Sequence, residues 1–227
     1  MKSIVFDIET VGVDFESLDE ISQNYFLKFA DSEQKKQEVN QSLSFYPLTA
    51  KIIAIAMLEV ETQKGAVYFE NRGKENVRLQ EQGIHYISAT EKEILLFFWR
   101  QLRRYDQFVT FNGRIFDCPF IMLRSAMHQI RAEKNLMPYR YNSSIHIDLA
   151  DQLSFYDALR RKFPLHMWCK AFGIPSSKED GICGLEVKEY YQNERYLDIA
   201  RYCLKDVRVT KDIYLAWKKC LSFSADR

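Results

Sequence analysis

Asp7 and Glu9 stand two residues apart in the apolar run Ile4-Val5-Phe6-Asp7-Ile8-Glu9-Thr10. Asp117 closes the segment Asn112-Gly113-Arg114-Ile115-Phe116-Asp117, and Asp206 follows Tyr202 by four residues in Tyr202-Cys203-Leu204-Lys205-Asp206. Each acid sits where folding makes a lone carboxylate expensive. An ionised carboxylate buried without a partner costs several kcal/mol or takes up a proton. The first strand offers no Lys or Arg to meet Asp7 and Glu9, and hard divalent cations such as Mg²⁺ are the natural counter-charge for clustered carboxylate oxygens. Residues two apart on a strand share a face, so Asp7 and Glu9 point one way while Phe6 and Ile8 point the other. Residues four apart on a helix also share a face, which sets the Tyr202 phenol beside Asp206. If Asp117 converges on the same place, two divalent cations would neutralise the four acids. A pair of metals roughly 3.5 to 4 Å apart serves in-line phosphoryl displacement, so phosphodiester hydrolysis is the expected chemistry. Tyr202 would then orient, or help deprotonate, the attacking water.

The elements that must position these residues alternate along the chain. Ser3 to Glu9 and Ile52 to Val60 read as apolar, β-branched strands, and Gly65 to Asn71 as a third, antiparallel to the second. Between the first two, Phe15 to Tyr46 is rich in Glu, Gln and Lys with apolar residues at helical spacing, which predicts an insert of one or two amphipathic helices. Thr90-Glu91-Lys92-Glu93 has the form of a capping box ahead of a helix over about 91–104, followed by a strand at Gln107 to Phe111. Asp117, ahead of Pro119, reads as the cap of a helix running through Ile121, Leu123, Met127 and Ile130. His146 to Leu149 is a short strand, Leu165 to Phe172 a helix closed by Gly173 and Pro175, and about Glu194 to Leu221 the last long helix. No repeat or linker divides the chain. The expected fold class is therefore a single α/β domain over residues 1–227, with one mixed central β-sheet flanked by α-helices and a helical insert at about 15–46.

Composition excludes several classes. Lys and Arg total 32 against 31 Asp and Glu, a formal charge of +1, so no global field draws the chain to nucleic acid or to an anionic membrane, and any polyanion contact must be local. No apolar stretch approaches the roughly 20 residues that span a bilayer, and no signal-peptide pattern precedes the first strand, so a cytoplasmic protein with no membrane partner is expected. The five cysteines include no Cys-x-x-Cys pair and read as free buried thiols, and the four scattered histidines read as structural. Asp148 and Asp151, at the end of a short strand, read as turn or cap residues, and Arg103-Arg104 and Arg160-Arg161 as solvated helix faces.

Asp-x-Glu, Asn-x-x-x-Phe-Asp and Tyr-x-x-x-Asp, in that order, resemble the three motifs of the DEDD superfamily, the ribonuclease-H-like 3′–5′ exonucleases. More narrowly, the chain is similar to the tyrosine-bearing branch and to stand-alone predicted exonucleases related to the proofreading domain of family-B DNA polymerases. Ile145 to Leu149, Phe172 to Pro175 and Gly184 to Tyr191 fit the same group, and no polymerase module is expected in the chain. The resemblance implies a ribonuclease-H-like fold. It also implies that Asp7, Glu9, Asp117 and Asp206 bind two divalent ions, Mg²⁺ or Mn²⁺, with Tyr202 positioning the nucleophilic water. Arg201 stands where the histidine branch would carry its base, which favours the tyrosine branch. Thr10, Asn112 and Phe116 match positions near the terminal nucleotide, the last as a packing or stacking residue.

The function so implied is metal-dependent removal of nucleoside 5′-monophosphates from the 3′ end of single-stranded nucleic acid, DNA or RNA. The competing readings are a non-catalytic nucleic-acid-binding module of the same fold within a larger assembly, and a metal-dependent nuclease that cuts internally.

Overall fold

The computed structural model describes residues 1–28, 30–74, 76–179 and 184–222. In chain order the elements are β1 (Ser3–Gly12), α1 (Glu20–Leu27), α2 (Glu33–Ser42), β2 (Ala50–Glu59), β3 (Gly65–Phe69), β4 (Arg78–Glu81), β5 (Ile84–Ser88) and α3 (Glu91–Leu102). They continue with β6 (Gln107–Thr110), α4 (Asp117–Met127), β7 (His146–Asp148), α5 (Leu149–Leu153), α6 (Leu165–Phe172), α7 (Val187–Gln192) and α8 (Tyr196–Cys220). The seven strands form one mixed sheet in the order β4-β5-β3-β2-β1-β6-β7. β1 pairs antiparallel with β2 and parallel with β6, so the strand carrying Asp7 and Glu9 lies inside the sheet, not at its edge.

Alternation along β1 divides its side chains between two layers. Ile4, Phe6 and Ile8 enter an apolar cluster with Ile94, Phe98 and Trp99 of α3 and Phe120 and Ile121 of α4. Val5 faces the opposite layer, with Tyr202, Cys203 and Val207 of α8. Asp7 and Glu9 share the parity of Val5 and so face α8. A bulge interrupts the β1–β2 register between Glu9 and Thr10, where Ala54 opposes Glu9 and Ile52 opposes Thr10, leaving Ile53 as the extra residue. Bulges raise local twist and re-aim neighbouring side chains.

α3 starts with the expected capping box: Thr90 Oγ1 accepts from the Glu93 amide, and the Glu93 carboxylate accepts from the Thr90 amide at 2.9 Å. α6 ends on Gly173 at φ +67°, the left-handed conformation that glycine adopts without steric cost. The insert departs from expectation. It does hold two helices, each with a side-chain cap at Asp19 or Ser32, but none of their residues is buried, and Ile21 and Tyr25 are largely exposed. Helices this short have no apolar stripe wide enough to seat on the sheet. The insert is fastened at its end instead. Leu43 is fully buried, its carbonyl accepts from Thr49 Oγ1 at 2.8 Å, and the Ser44 carbonyl accepts from Thr10 Oγ1 at 2.7 Å. Gly12 permits this approach, since a Cβ there would lie 2.8 Å from the Ser44 nitrogen.

Two further expectations need correcting. Asp117 does not cap α4; Phe116 holds the N-cap position and Asp117 is the first helical residue, its Oδ1 accepting from the Ile8 amide of β1 at 3.1 Å. That tie across the sheet outcompetes the local cap. α4 also ends at Met127, with Ile130 beyond it bonding back to the Ser125 carbonyl.

The loop between β6 and α4 hangs on Asp148, whose carboxylate accepts from the amides of Asn112 and Arg114, both at 2.8 Å, and of Ala150 at 3.0 Å. Truncating it leaves three amides without their acceptor. Asp148→Ala is therefore expected to lower the unfolding free energy by about 2–4 kcal/mol, read by urea denaturation of the purified protein.

Candidate active site

β1 delivers Asp7 and Glu9, the N-terminus of α4 delivers Asp117, and one face of α8 delivers Tyr202 and Asp206. These five, with Thr10, Asn112 and Phe116, all line a single open cleft of about 680 Å³. Every residue singled out by the three sequence motifs is thus brought to one place. The acids interact directly: the charges of Asp117, Asp206 and Glu9 all bear on Asp7, and those of Asp206 and Asp117 on Glu9.

Burial is the main force on the protonation of these groups. It drives the Asp7 and Glu9 carboxyls well above the ordinary carboxylate range, with mutual repulsion adding to it. Asp117 rises to about 7, burial again dominating over the hydrogen bonds from its own amide and that of Ile8. Asp206 is also raised by burial, against the opposing effects of a Ser177 hydroxyl, the Lys178 ammonium and the Tyr202 hydroxyl. Tyr202 is pushed far above the usual phenol value by burial first and then by Asp206, Glu9 and Asp7. Its phenol is consequently a donor, and Asp206 is its acceptor.

The cluster fits hard divalent cations. Asp206 Oδ1 is buried with no hydrogen-bond partner among the described residues, an acceptor with nothing to satisfy it. Ligand atoms of Asp7, Glu9 and Cys203 lie within 4.8 Å of one another. Cys203 is a poor third ligand: its thiol donates to the Asp7 carbonyl at 3.4 Å, and burial holds it protonated by raising its pKa well above the ordinary thiol value. Oxygen ligands from the four acids suit Mg²⁺ or Mn²⁺ better than a thiol does.

The neighbouring residues divide between cleft and scaffold. Asn112 adopts a left-handed φ of +62°, directs its amide N–H to Asp148, and keeps a side-chain amide with no hydrogen-bond partner among the described residues. Gly113 follows because a Cβ there would lie 2.5 Å from the Thr110 hydroxyl oxygen. Phe116 packs against Phe120 and Phe45, with ring centroids 5.4 and 6.4 Å away. Thr10 lends its hydroxyl proton to Ser44, so its contribution to the cleft is to hold the insert's closing turn in place. Arg201 points away from the site and pairs with Glu81 of β4 at 2.6 Å. Asp151 is engaged by Arg140 through two bonds of 2.9 and 2.6 Å, a structural role as expected. Cys118, Cys169 and Cys203 are buried free thiols, Cys220 is exposed, and Cys183 lies outside the described residues.

Sequence reasoning missed four contributors. Ser177 and Lys178 lie on the turn after α6, where the chain offered only the breakers Gly173 and Pro175 as a signal. Lys178 sets its charge against both Glu9 and Asp206. Phe45 and Tyr46 form an aromatic wall of the cleft; both are about half exposed, and their place opposite Phe116 follows from the Thr10–Ser44 tie, which no local pattern encodes.

No described helix is long and apolar enough to cross a membrane. The fold is similar to that of a family B DNA polymerase from the hyperthermophilic archaeon Pyrobaculum calidifontis. The TM-score is 0.58 at 16% identity, over 95% of this chain and 24% of the polymerase chain. That likeness shows the fold, an α/β architecture of the ribonuclease-H-like kind. No curated protein matches the sequence significantly. Residues 44–226 match a family defined as predicted 3′–5′ exonucleases related to the exonuclease domain of PolB, a span that holds Asp117, Tyr202 and Asp206 and begins after the Asp7–Glu9 motif. On that match the chain belongs to the family of predicted 3′–5′ exonucleases related to the PolB exonuclease domain.

Proposed function

We propose that the protein is a metal-dependent 3′–5′ exonuclease that removes nucleoside 5′-monophosphates from single-stranded ends, with DNA as the favoured substrate and RNA also a candidate. The observation that carries this reading is the meeting of Asp7, Glu9, Asp117, Tyr202 and Asp206 in one cleft. Two divalent cations, when bound, supply charge neutralisation and an acidified water for in-line displacement at phosphorus.

The chain's own residues do the rest. Asp7, Glu9, Asp117 and Asp206 hold the cations, Asp206 through the oxygen that has no protein partner. Tyr202, protonated and bonded to Asp206, uses its hydroxyl to orient the attacking water. Set on the face of α8 that carries Asp206, the hydroxyl acts by positioning. Asn112 offers a free amide and Phe116 an aromatic face at the place of the terminal nucleotide. Phe45, edge-on to Phe116, and Tyr46 extend this aromatic surface for unpaired bases, which favours a splayed single strand over a duplex.

Incubation with end-labelled single-stranded DNA and RNA plus Mn²⁺ should yield mononucleotides from the 3′ end, and a substrate left intact by folded protein would refute the reading. A circular single strand should remain uncut. Asp206→Ala should abolish turnover and weaken Mn²⁺ binding by calorimetry, whereas Tyr202→Phe should retain metal binding and slow turnover roughly 10²-fold by losing the orientation of the water. Equal loss of metal affinity in both variants would contradict this division of roles.

The raised carboxyl values also predict how metal-free protein responds to pH. Between the ordinary Asp value of 3.8 and about 7, the native state retains protons that the unfolded chain has lost, so stability falls as pH rises through that window. In chelator, the thermal midpoint should drop from pH 5 to pH 8, and millimolar Mn²⁺ should reverse the trend by taking the protons' place. Asp7→Asn should flatten the chelator slope by removing one of the repelling charges. A midpoint independent of pH in chelator would show that the acids are not held together in solution.

A further inference from the structure

The cleft is lined by no Lys or Arg among the described residues, although its substrate would be a polyanion. A cavity of about 310 Å³ nearby has the opposite character. Lys51, Arg72, Arg124 and Lys188 line it, against Asp14 as the one acid. The two are joined by a narrow recess that shares Thr10, Ser44 and Gly184 with the cleft and Gly12 and Lys188 with the cavity. Cleft, recess and cavity thus adjoin in a row along the end of β1, away from the carboxylates, the recess being a constriction of about 60 Å³. From Glu9 to Gly12 the row extends roughly 10 Å, at the rise of an extended strand.

The cations are unequally committed. Arg124 is engaged with buried Glu91 through Nε at 2.8 Å and Nη2 at 2.6 Å, so it belongs to the scaffold. Lys51 pairs with Glu70 at 2.6 Å, and Lys188 with the exposed Asp14 at 3.0 Å, a pairing that solvent weakens. Arg72 has no carboxylate within ion-pair distance among the described residues; its guanidinium stands 4.6 Å over the ring of Tyr191. Tyr191 is itself buried and donates to Glu70 at 2.5 Å, which fixes the platform beneath Arg72. Four cations therefore face three carboxylates, Glu70, Glu91 and Asp14, leaving an excess of one positive charge at an open surface. One phosphodiester monoanion matches it.

We propose that this cavity seats a backbone phosphate of the strand under degradation, a few nucleotides upstream of the end held in the cleft, with Arg72 and Lys188 as its contacts. The proposal rests on the exonuclease reading for the identity of the strand, and on this row for its path. It explains how a cleft lined by acids and, among the described residues, by no Lys or Arg could retain a polyanion. Arg72 and Lys188 are positioning residues for long substrates, remote from the reacting bond.

The test compares dinucleotide with decanucleotide single strands in Mn²⁺, using full-length protein. Wild-type kcat/KM should rise with length, and Arg72→Gln and Lys188→Gln should each lose about two- to fivefold more on the decamer than on the dinucleotide. The slope of log(kcat/KM) against log salt on the decamer should fall in magnitude by about 0.7 for each contact removed from a single strand. Unchanged length and salt dependence in both variants, with thermal midpoints showing them folded, would overturn the proposal. Fluorescence anisotropy of labelled decamer on the Asp206→Ala protein separates it from the nuclease reading, because binding needs no turnover. Loss of affinity and salt slope on adding Arg72→Gln supports the phosphate seat even if the wild-type chain hydrolyses nothing. Undiminished affinity in a background where the wild-type chain is active removes the seat alone.

Discussion

Mutual repulsion among buried carboxylates is the constraint around which this structure is organised. Two unit charges 4 Å apart repel by about 4 kcal/mol at an effective dielectric of 20, and desolvation adds to that for each acid. Burial heads the causes that raise Asp7, Glu9, Asp117 and Asp206 alike. Left to themselves, such groups would turn to solvent. They are held because each is fixed to an element that is pinned for other reasons: β1 between two neighbours in the sheet, α4 by Phe120 and Ile121 in the core, and α8 by a long buried stripe. Apolar packing on both faces of the sheet offsets the cost of the cage. The site is the kind of place where stability is surrendered for chemistry.

The precision of the cage comes from a few polar ties between segments distant in sequence. Ile8 donates to Asp117, which locks α4 to β1 across 109 residues of sequence. Asp148 gathers the amides of Asn112 and Arg114, and so fixes the loop that turns Asn112 and Phe116 toward the cleft. Thr10 fixes the insert's closing turn to the same strand. All three ties lie outside the set of metal-holding groups or use those groups' spare hydrogen-bonding capacity. Acids that look like local caps or turn residues are therefore what makes the cleft rigid.

Much of this was legible in the chain because the signals were local. The period-2 pattern of β1 aimed Asp7 and Glu9 correctly, the capping box at Thr90 marked α3, and four-residue spacing put Tyr202 beside Asp206. β4 and β5 were not read. Arg-Leu-Gln-Glu has no β-branched residue, and β4 becomes a strand through its ladder with β5, a tertiary cause. The short α5 and α7 were likewise too brief to show a period. Asp117 was read as a helix cap because a sequence displays the adjacent amides but not the Ile8 amide that prevails. Ser177 and Lys178 were invisible for the same reason: only the return of α8 under β1 brings their turn to the acids.

An anionic cage must also attract an anionic substrate, and the distribution of charge shows how both conditions can be met. A formal charge of +1 supplies no long-range steering. Inside the cleft the walls are aromatic and aliphatic, a surface that in the proposed function would grip bases, which are neutral and indifferent to the carboxylates. Lys178 sets its charge against Glu9 and Asp206, yet among the described residues no Lys or Arg forms an ion pair with the four acids, and the other cations near the cleft are displaced along β1. A lysine placed among the four acids would satisfy them permanently and leave no vacancy for exchangeable cations. With no Lys or Arg in ion-pair contact among the described residues, Asp206 Oδ1 keeps an unmet hydrogen-bonding capacity, the vacancy on which the proposed metal-dependent chemistry would draw.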